Sequence, residues 1–171
     1  MATIPARRLA VNPYGDRYPD DNSTKEVELQ ADGLVTAYTG DRHVLLRWIN
    51  GADAEQRVYY AQIIHLSGGP GNYNFHTPQV KIHSEASRGA DTCYPLGQYT
   101  RAQRDQIVLL AKAVGFERRS RVNNCRTWMR DLLEAMVGAN LLSNSEFDKI
   151  DADVPLIKRV AETSGDTITT L

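Results

Sequence analysis

The chain reads as one α+β domain: an antiparallel sheet of three to five strands followed by helices packed on it. Between residues 25 and 84 the apolar side chains alternate with polar ones or form short dense runs, the pattern of a pleated strand. From residue 100 onward they recur at three- and four-residue spacing, the pattern of one helix face. Strands first and helices afterwards is an α+β order, not an alternating βα order. The scale agrees, because 171 residues, 42% of them hydrophobic and 24% charged, suit a single domain with its own core.

Residues 1–24 are rich in Pro, Asp, Asn and Tyr, lack periodicity, and read as an extended N-terminal arm. The domain is expected over 25–165, with 166–171 as a C-terminal tail. KEVELQAD, from Lys25, alternates and suits a strand or a short helix. HVLLRWI, from His43, is dense in strand formers, and Asn50-Gly51 directly after it signals a turn. RVYYAQIIHL, Arg57 to Leu66, is the partner strand. SGGPGNYN, residues 67–74, lacks the lysine and spacing of a P-loop and reads as a turn or flap. QVKIHS, Gln79 to Ser84, alternates as a half-buried strand does.

The helices follow. In TRAQRDQIVLLAKAVGF, Thr100 can cap, Ile107, Leu110, Ala111 and Val114 share a face, and Gly115 is a stop. In NNCRTWMRDLLEAMVGANLLS, Asn123 or Asn124 can cap and Trp128, Leu132 and Met136 form a stripe. A last helix is expected over Val154 to Ala161, its N-terminus preceded by acidic residues. FDKIDADV lacks the glycine and ligand positions of a calcium loop.

Composition excludes several functions. A net charge of −1, with 20 basic against 21 acidic residues, gives no footprint for nucleic acid or an anionic membrane. No apolar run approaches the roughly 20 residues of a membrane helix, and MATIPARRLAVNPYGD has no signal-peptide core, so a cytoplasmic location is expected. The two cysteines, Cys93 and Cys125, are far apart and suggest no disulfide framework. The four histidines, His43, His65, His76 and His83, show no metal-ligand spacing with them. No metal or cofactor is expected. The expected partner is a small-molecule substrate, and a homodimer remains open.

The sequence concentrates its chemistry at Cys125. Its helix start offers unpaired N–H groups and a positive dipole end, and Arg118, Arg119, Arg121 and Arg126 lie nearby, so a lowered thiol pKa is expected. The bland alternative is a small buried thiol, which is also the reading for Cys93. His43 opens one strand and His65 closes its antiparallel partner, which brings both imidazoles to one end of the sheet. A helix carrying Cys125 to that end would complete a thiol, a base and a group orienting the base. Tyr60, Arg121, Asn124 and Trp128 are candidate substrate contacts, although packing also explains the tyrosines.

His43 before a hydrophobic strand, His65-Leu66 at the end of the next, and Asn124-Cys125 at a helix start resemble the lecithin:retinol acyltransferase family, in the permuted branch of the papain-like thiol fold. The similarity spans roughly residues 42–137 and extends to small fungal proteins with the same motif order. It implies Cys125 as nucleophile, His43 as general base, His65 as orienting residue, and acyl transfer through an acyl-enzyme. Arg126-Thr127-Trp128 stand where the family has an acidic residue and a histidine. DADVPLIKRVAETSGDTITTL is shorter and more charged than the family's membrane-anchoring helix, so a diffusible substrate is expected. The expected function is therefore a cysteine-dependent hydrolase, amidase or acyltransferase. The alternative is a non-thiol binding protein, or an acid–base cyclase or isomerase of a biosynthetic pathway using the same pocket.

Overall fold

Alternating apolar residues pair into one antiparallel sheet in the computed structural model, which describes residues 12–31, 43–76, 79–85, 89 and 91–162. A short helix, α1 (Pro13–Arg17), precedes β1 (Lys25–Ala31), β2 (Val44–Asp53) and β3 (Val58–Ile64). A small hairpin follows, β4 (Leu66–Gly69) and β5 (Asn72–Phe75), and then β6 (Gln79–Ser84) and β7 (Thr92–Tyr99). The main sheet has the order β6-β3-β2-β1-β7, with β4 and β5 forming a separate two-stranded sheet. Three helices close the fold: α2 (Arg101–Ala113), α3 (Cys125–Gly138) and α4 (Asn144–Asp153).

Side-chain alternation decides the layers. Val27, Leu29 and Ala31 of β1 and Val44, Leu46 and Trp48 of β2 join one core with Ile107 of α2 and Trp128, Met129, Leu132, Leu133 and Met136 of α3. Leu45, Ala61 and Ile63 form a smaller cluster of their own. Arg47, between core positions on β2, is buried through bonds from its guanidinium to Glu28 (3.1 Å), Gln30 (2.7 Å) and the Cys93 sulfur (3.1 Å). Each of the three longer helices starts on a capping box, with Thr100, Asn124 and Ser143 as N-caps.

Several expectations change. Residues 12–24 are not an extended arm: α1 packs on β6, Tyr18 stacks on Tyr60 at 3.7 Å, and Asp20 pairs with Lys25 and Arg104. Residues 1–11 lie outside the described residues, as do 163–171, which include the expected tail. Asn50-Gly51 is not the turn. β2 continues to Asp53 through an irregularity at Asn50, and Arg57 takes a positive φ of 54° just before β3. Glycine is needed at 51 for a close approach, since a Cβ there would lie 2.5 Å from the Tyr18 ring. The SGGPGNYN segment is the β4–β5 hairpin, where Gly68 has φ +97° and a Cβ would fall 2.1 Å from the Asn72 carbonyl oxygen. β7 was not foreseen. The last helix is α4, and Val154 to Ala161 follow it without helix.

Candidate functional site

The register of the β2–β3 hairpin, Leu46 opposite Ile64, carries His43 and His65 to the same end of the sheet. Their rings meet edge to face, with His43 Nε2 2.7 Å from His65 Nδ1. His65 is only 6% exposed. Burial pushes its pKa down to about 4, helped by the charges of His43, Lys81 and His76 and opposed by a hydrogen bond with the Gln79 side chain. His65 is thus a neutral imidazole at pH 7, with one ring nitrogen donating and the other accepting.

Cys125 occupies the first position of α3, half-buried. Asn124 sets that helix start: its Oδ1 accepts from the Arg126 N–H (2.9 Å) and the Thr127 N–H (3.3 Å), and its own N–H donates to Thr127 Oγ1 (3.3 Å). α3 packs against β2. The sulfur lies within hydrogen-bonding range of the Val44 backbone N–H, the first amide of β2 and the one that follows His43. The expected lowered pKa is overturned. Burial pushes the thiol up, and this outweighs the Val44 N–H, the Arg126 charge and the N–H groups of Arg126 and Cys125, which all favour the thiolate.

The loop leading into α3 is fastened from two sides. On one, the β4–β5 hairpin bonds to it, Gly71 N–H to the Ser120 carbonyl (2.9 Å) and Tyr73 N–H to the Arg118 carbonyl (2.8 Å). On the other, buried Asn123 grips the segment after α4: its Nδ2 donates to the Val160 carbonyl (2.8 Å) and its Oδ1 accepts from the Val160 N–H (3.0 Å). Arg159 adds bonds to Asp131 (2.6 Å) and the Gly115 carbonyl (2.8 Å).

The structure therefore gathers Cys125, His43, His65 and Asn124, and it engages the other candidates in packing. Tyr60 lies further along β3, stacked on Tyr18 and tilted against Tyr14, in the packing of α1. Trp128 is a core residue, 1% exposed and against Phe75 at 5.3 Å. The Arg121 guanidinium lies over Gly71 of the hairpin turn. Sequence reasoning missed the Val44 amide and the Gln79 contact, and it offered Asn123 only as a possible cap, a role that Asn124 fills. The first carries no side-chain signal, and the others act through pairings that only the tertiary structure creates. Among the described residues no group of three or more His, Cys, Asp or Glu is placed to hold a metal ion, and no helix is long and apolar enough to cross a membrane. No protein-family model, curated protein or solved structure matches this chain.

Proposed function

We propose that the protein is a cysteine-dependent acyl-transfer enzyme acting on a small diffusible ester or amide, with Cys125 as nucleophile, His43 as general base and His65 as the residue that orients the base. The observation that carries this reading is the His43–His65 contact of 2.7 Å beside the β2 amide that meets the Cys125 sulfur. The sharing of one sheet end by these three residues also supports the permuted papain-like arrangement suggested by the motif order.

The chemistry follows from the contacts. His65 engages His43 Nε2, which leaves Nδ1 of His43 to take the thiol proton. The sulfur attacks the carbonyl carbon, and the C=O electron pair moves to oxygen. The Cys125 N–H at the helix start is the natural donor to that oxyanion. On collapse the carbon–leaving-group bond breaks, and the imidazolium gives its proton to the departing alcohol or amine. Water or an amine, deprotonated by His43, then attacks the thioester, releases the acyl product and restores the thiol.

The experiment is a panel of soluble esters and amides, with intact-mass detection of an acyl adduct and turnover measured beside it. An adduct on Cys125 is expected, with turnover lost in Cys125→Ala and lowered at least about a hundredfold in His43→Ala. Turnover that survives Cys125→Ala would transfer the site to acid–base chemistry on the histidine pair. The raised thiol pKa is the one observation that favours this second reading.

A further inference from the structure

On the acyl-transfer reading, on which this rests, we propose that the substrate is an anionic acyl donor, with a carboxylate or similar group close to the scissile carbonyl. The chain as a whole is nearly neutral, at −1, but its charges are unevenly placed. Residues 43–49, 62–76, 79–82 and 115–126 meet at the sheet end that holds the thiol. They do so through the β2–β3 and β3–β6 pairings and the bonds of the β4–β5 hairpin to the loop before α3. These segments contain one acidic residue, Glu117, against Lys81, Arg118, Arg119, Arg121 and Arg126. Their other cation, Arg47, is already neutralised by Glu28 at 3.1 Å.

Two of these cations flank the reacting groups. Arg126 follows Cys125 in the first turn of α3, and its charge favours the thiolate together with the N–H groups of that helix start. Lys81 stands beside the histidine pair. It is exposed and alternates with Gln79 along β6, so the two share a face about 7 Å apart, at roughly 3.3 Å per residue. Gln79 bonds to His65, and the Lys81 charge acts on that imidazole. Such a separation is within the screening length of about 8 Å at physiological salt.

The neighbouring acids are engaged elsewhere. Glu117 accepts from the Arg119 N–H (3.2 Å), Glu162 from the Asn123 amide (2.7 Å) and Asp131 from Arg159 (2.6 Å). No carboxylate among the described residues pairs with Lys81, Arg118, Arg119 or Arg121. A donor with a negative charge therefore gains attraction beside a half-buried sulfur, where water screens less, and a cationic donor is repelled.

The test compares alkylation of Cys125 in the full chain by iodoacetate and by iodoacetamide, reagents of similar shape that differ by one negative charge. Both react with the same thiolate, so its population cancels from the ratio of rates. A neutral thiol, N-acetylcysteine amide, supplies the reference ratio, and peptide mass spectrometry separates Cys125 from Cys93. Cys125 is expected to favour iodoacetate at least about threefold over the reference, the effect of a potential of about one kT. The preference should vanish in roughly 1 M salt, where the screening length is about 3 Å. Lys81→Glu and Arg126→Glu should each remove most of it, and Lys81→Gln about half as much. Arg57→Gln, at the turn end of the β2–β3 hairpin, should leave it unchanged. Turnover of phenyl acetate is then set against phenyl hydrogen succinate, charged on the acyl side, and para-acetoxybenzoate, charged on the leaving group. One of the two anionic esters should exceed the neutral one about tenfold in kcat/KM. If no ester turns over while the alkylation preference holds, the acyl-transfer reading fails and the anion preference stands. A wild-type ratio equal to the reference, a ratio unmoved by Lys81→Glu and Arg126→Glu, or phenyl acetate turned over as fast as both anionic esters overturns the proposal.

Discussion

Cys125 is held as a thiol, not as a thiolate, because the same docking of α3 on β2 that brings its sulfur to the sheet end also removes it from water. The proposed mechanism therefore needs a base at the moment of attack, and a preformed ion pair does not fit. Site-resolved alkylation by iodoacetamide should rise with pH through and beyond 8.5 instead of levelling off below 8, and His43→Ala should slow it at pH 7; a plateau below pH 8 would contradict this. His65 gives a second prediction. Its folded pKa of about 4 lies below the ordinary value of 6.5. Between those values the unfolded chain binds a proton that the folded chain does not, so stability falls as pH drops from 6.5 towards 4 and is fully present above that window. The loss amounts to at most about 3 kcal/mol. Urea midpoints across pH 4–7 should show this slope in the wild type and a flatter one in His65→Asn. The end-to-end meeting of His43 and His65 was legible in the sequence, because two strand-forming runs with a turn between them fix which ends coincide. The thiol's pKa was not, because the helix-start dipole is a local property whereas burial depends on what the helix packs against.

Among the elements, the start of α3 links structure most directly to the proposed chemistry. Asn124 caps two N–H groups and thereby sets the direction from which Cys125 leaves the backbone. Asn124→Ala should cost about 1 kcal/mol of stability. It should also lower turnover by more than that loss explains, which kcat measured well below the unfolding transition would reveal. Ser143→Ala removes the equivalent cap of α4, also at about 1 kcal/mol, and should leave kcat unchanged. The capped helices α2 and α3 were readable because a cap precedes a clear apolar stripe. α4 was missed although Ser143 and Glu146 form the same box, since only Phe147 and Ile150 of its residues are buried. Val154, Ile157 and Val160 imitate a stripe, but Asn123 holds both backbone groups of Val160 in a pairing that a helix would forbid. β7 was hidden by Pro95 and Gly97, which its place at the sheet edge tolerates.

In the molecule as a whole the two ends of the sheet are secured by different means, and the end far from the thiol depends on a buried charge. Arg104 of α2 is fully buried. It donates to both carboxylate oxygens of Asp20 (2.9 Å each) and to the carbonyls of Asp21 (2.8 Å), Ser23 (2.8 Å) and Tyr99 (2.7 Å). One guanidinium thus joins the segment before β1 to the end of β7 and to α2, which makes residues 18–24 part of the domain. Those hydrogen bonds and the neighbouring Lys25 together hold the Asp20 carboxyl below its usual range even though burial acts against them. Arg104→Ala would leave three carbonyls without this donor and the half-buried Asp20 carboxylate with Lys25 in place of the guanidinium, a change that should cost about 2–4 kcal/mol, below the roughly 3–5 kcal/mol of a fully buried pair that loses one partner. Arg104→Lys keeps the charge but not the planar fork, and its loss should be intermediate. Asp20→Asn should cost least, because its amide oxygen still accepts. Urea unfolding at pH 7 gives all three values, and an Arg104→Ala cost below about 1 kcal/mol would show that the cluster is no more than a surface contact. The His43–His65 contact lies at the opposite end of the sheet. Arg104→Lys should therefore leave the pH slope attributed to His65 intact while lowering the whole stability curve.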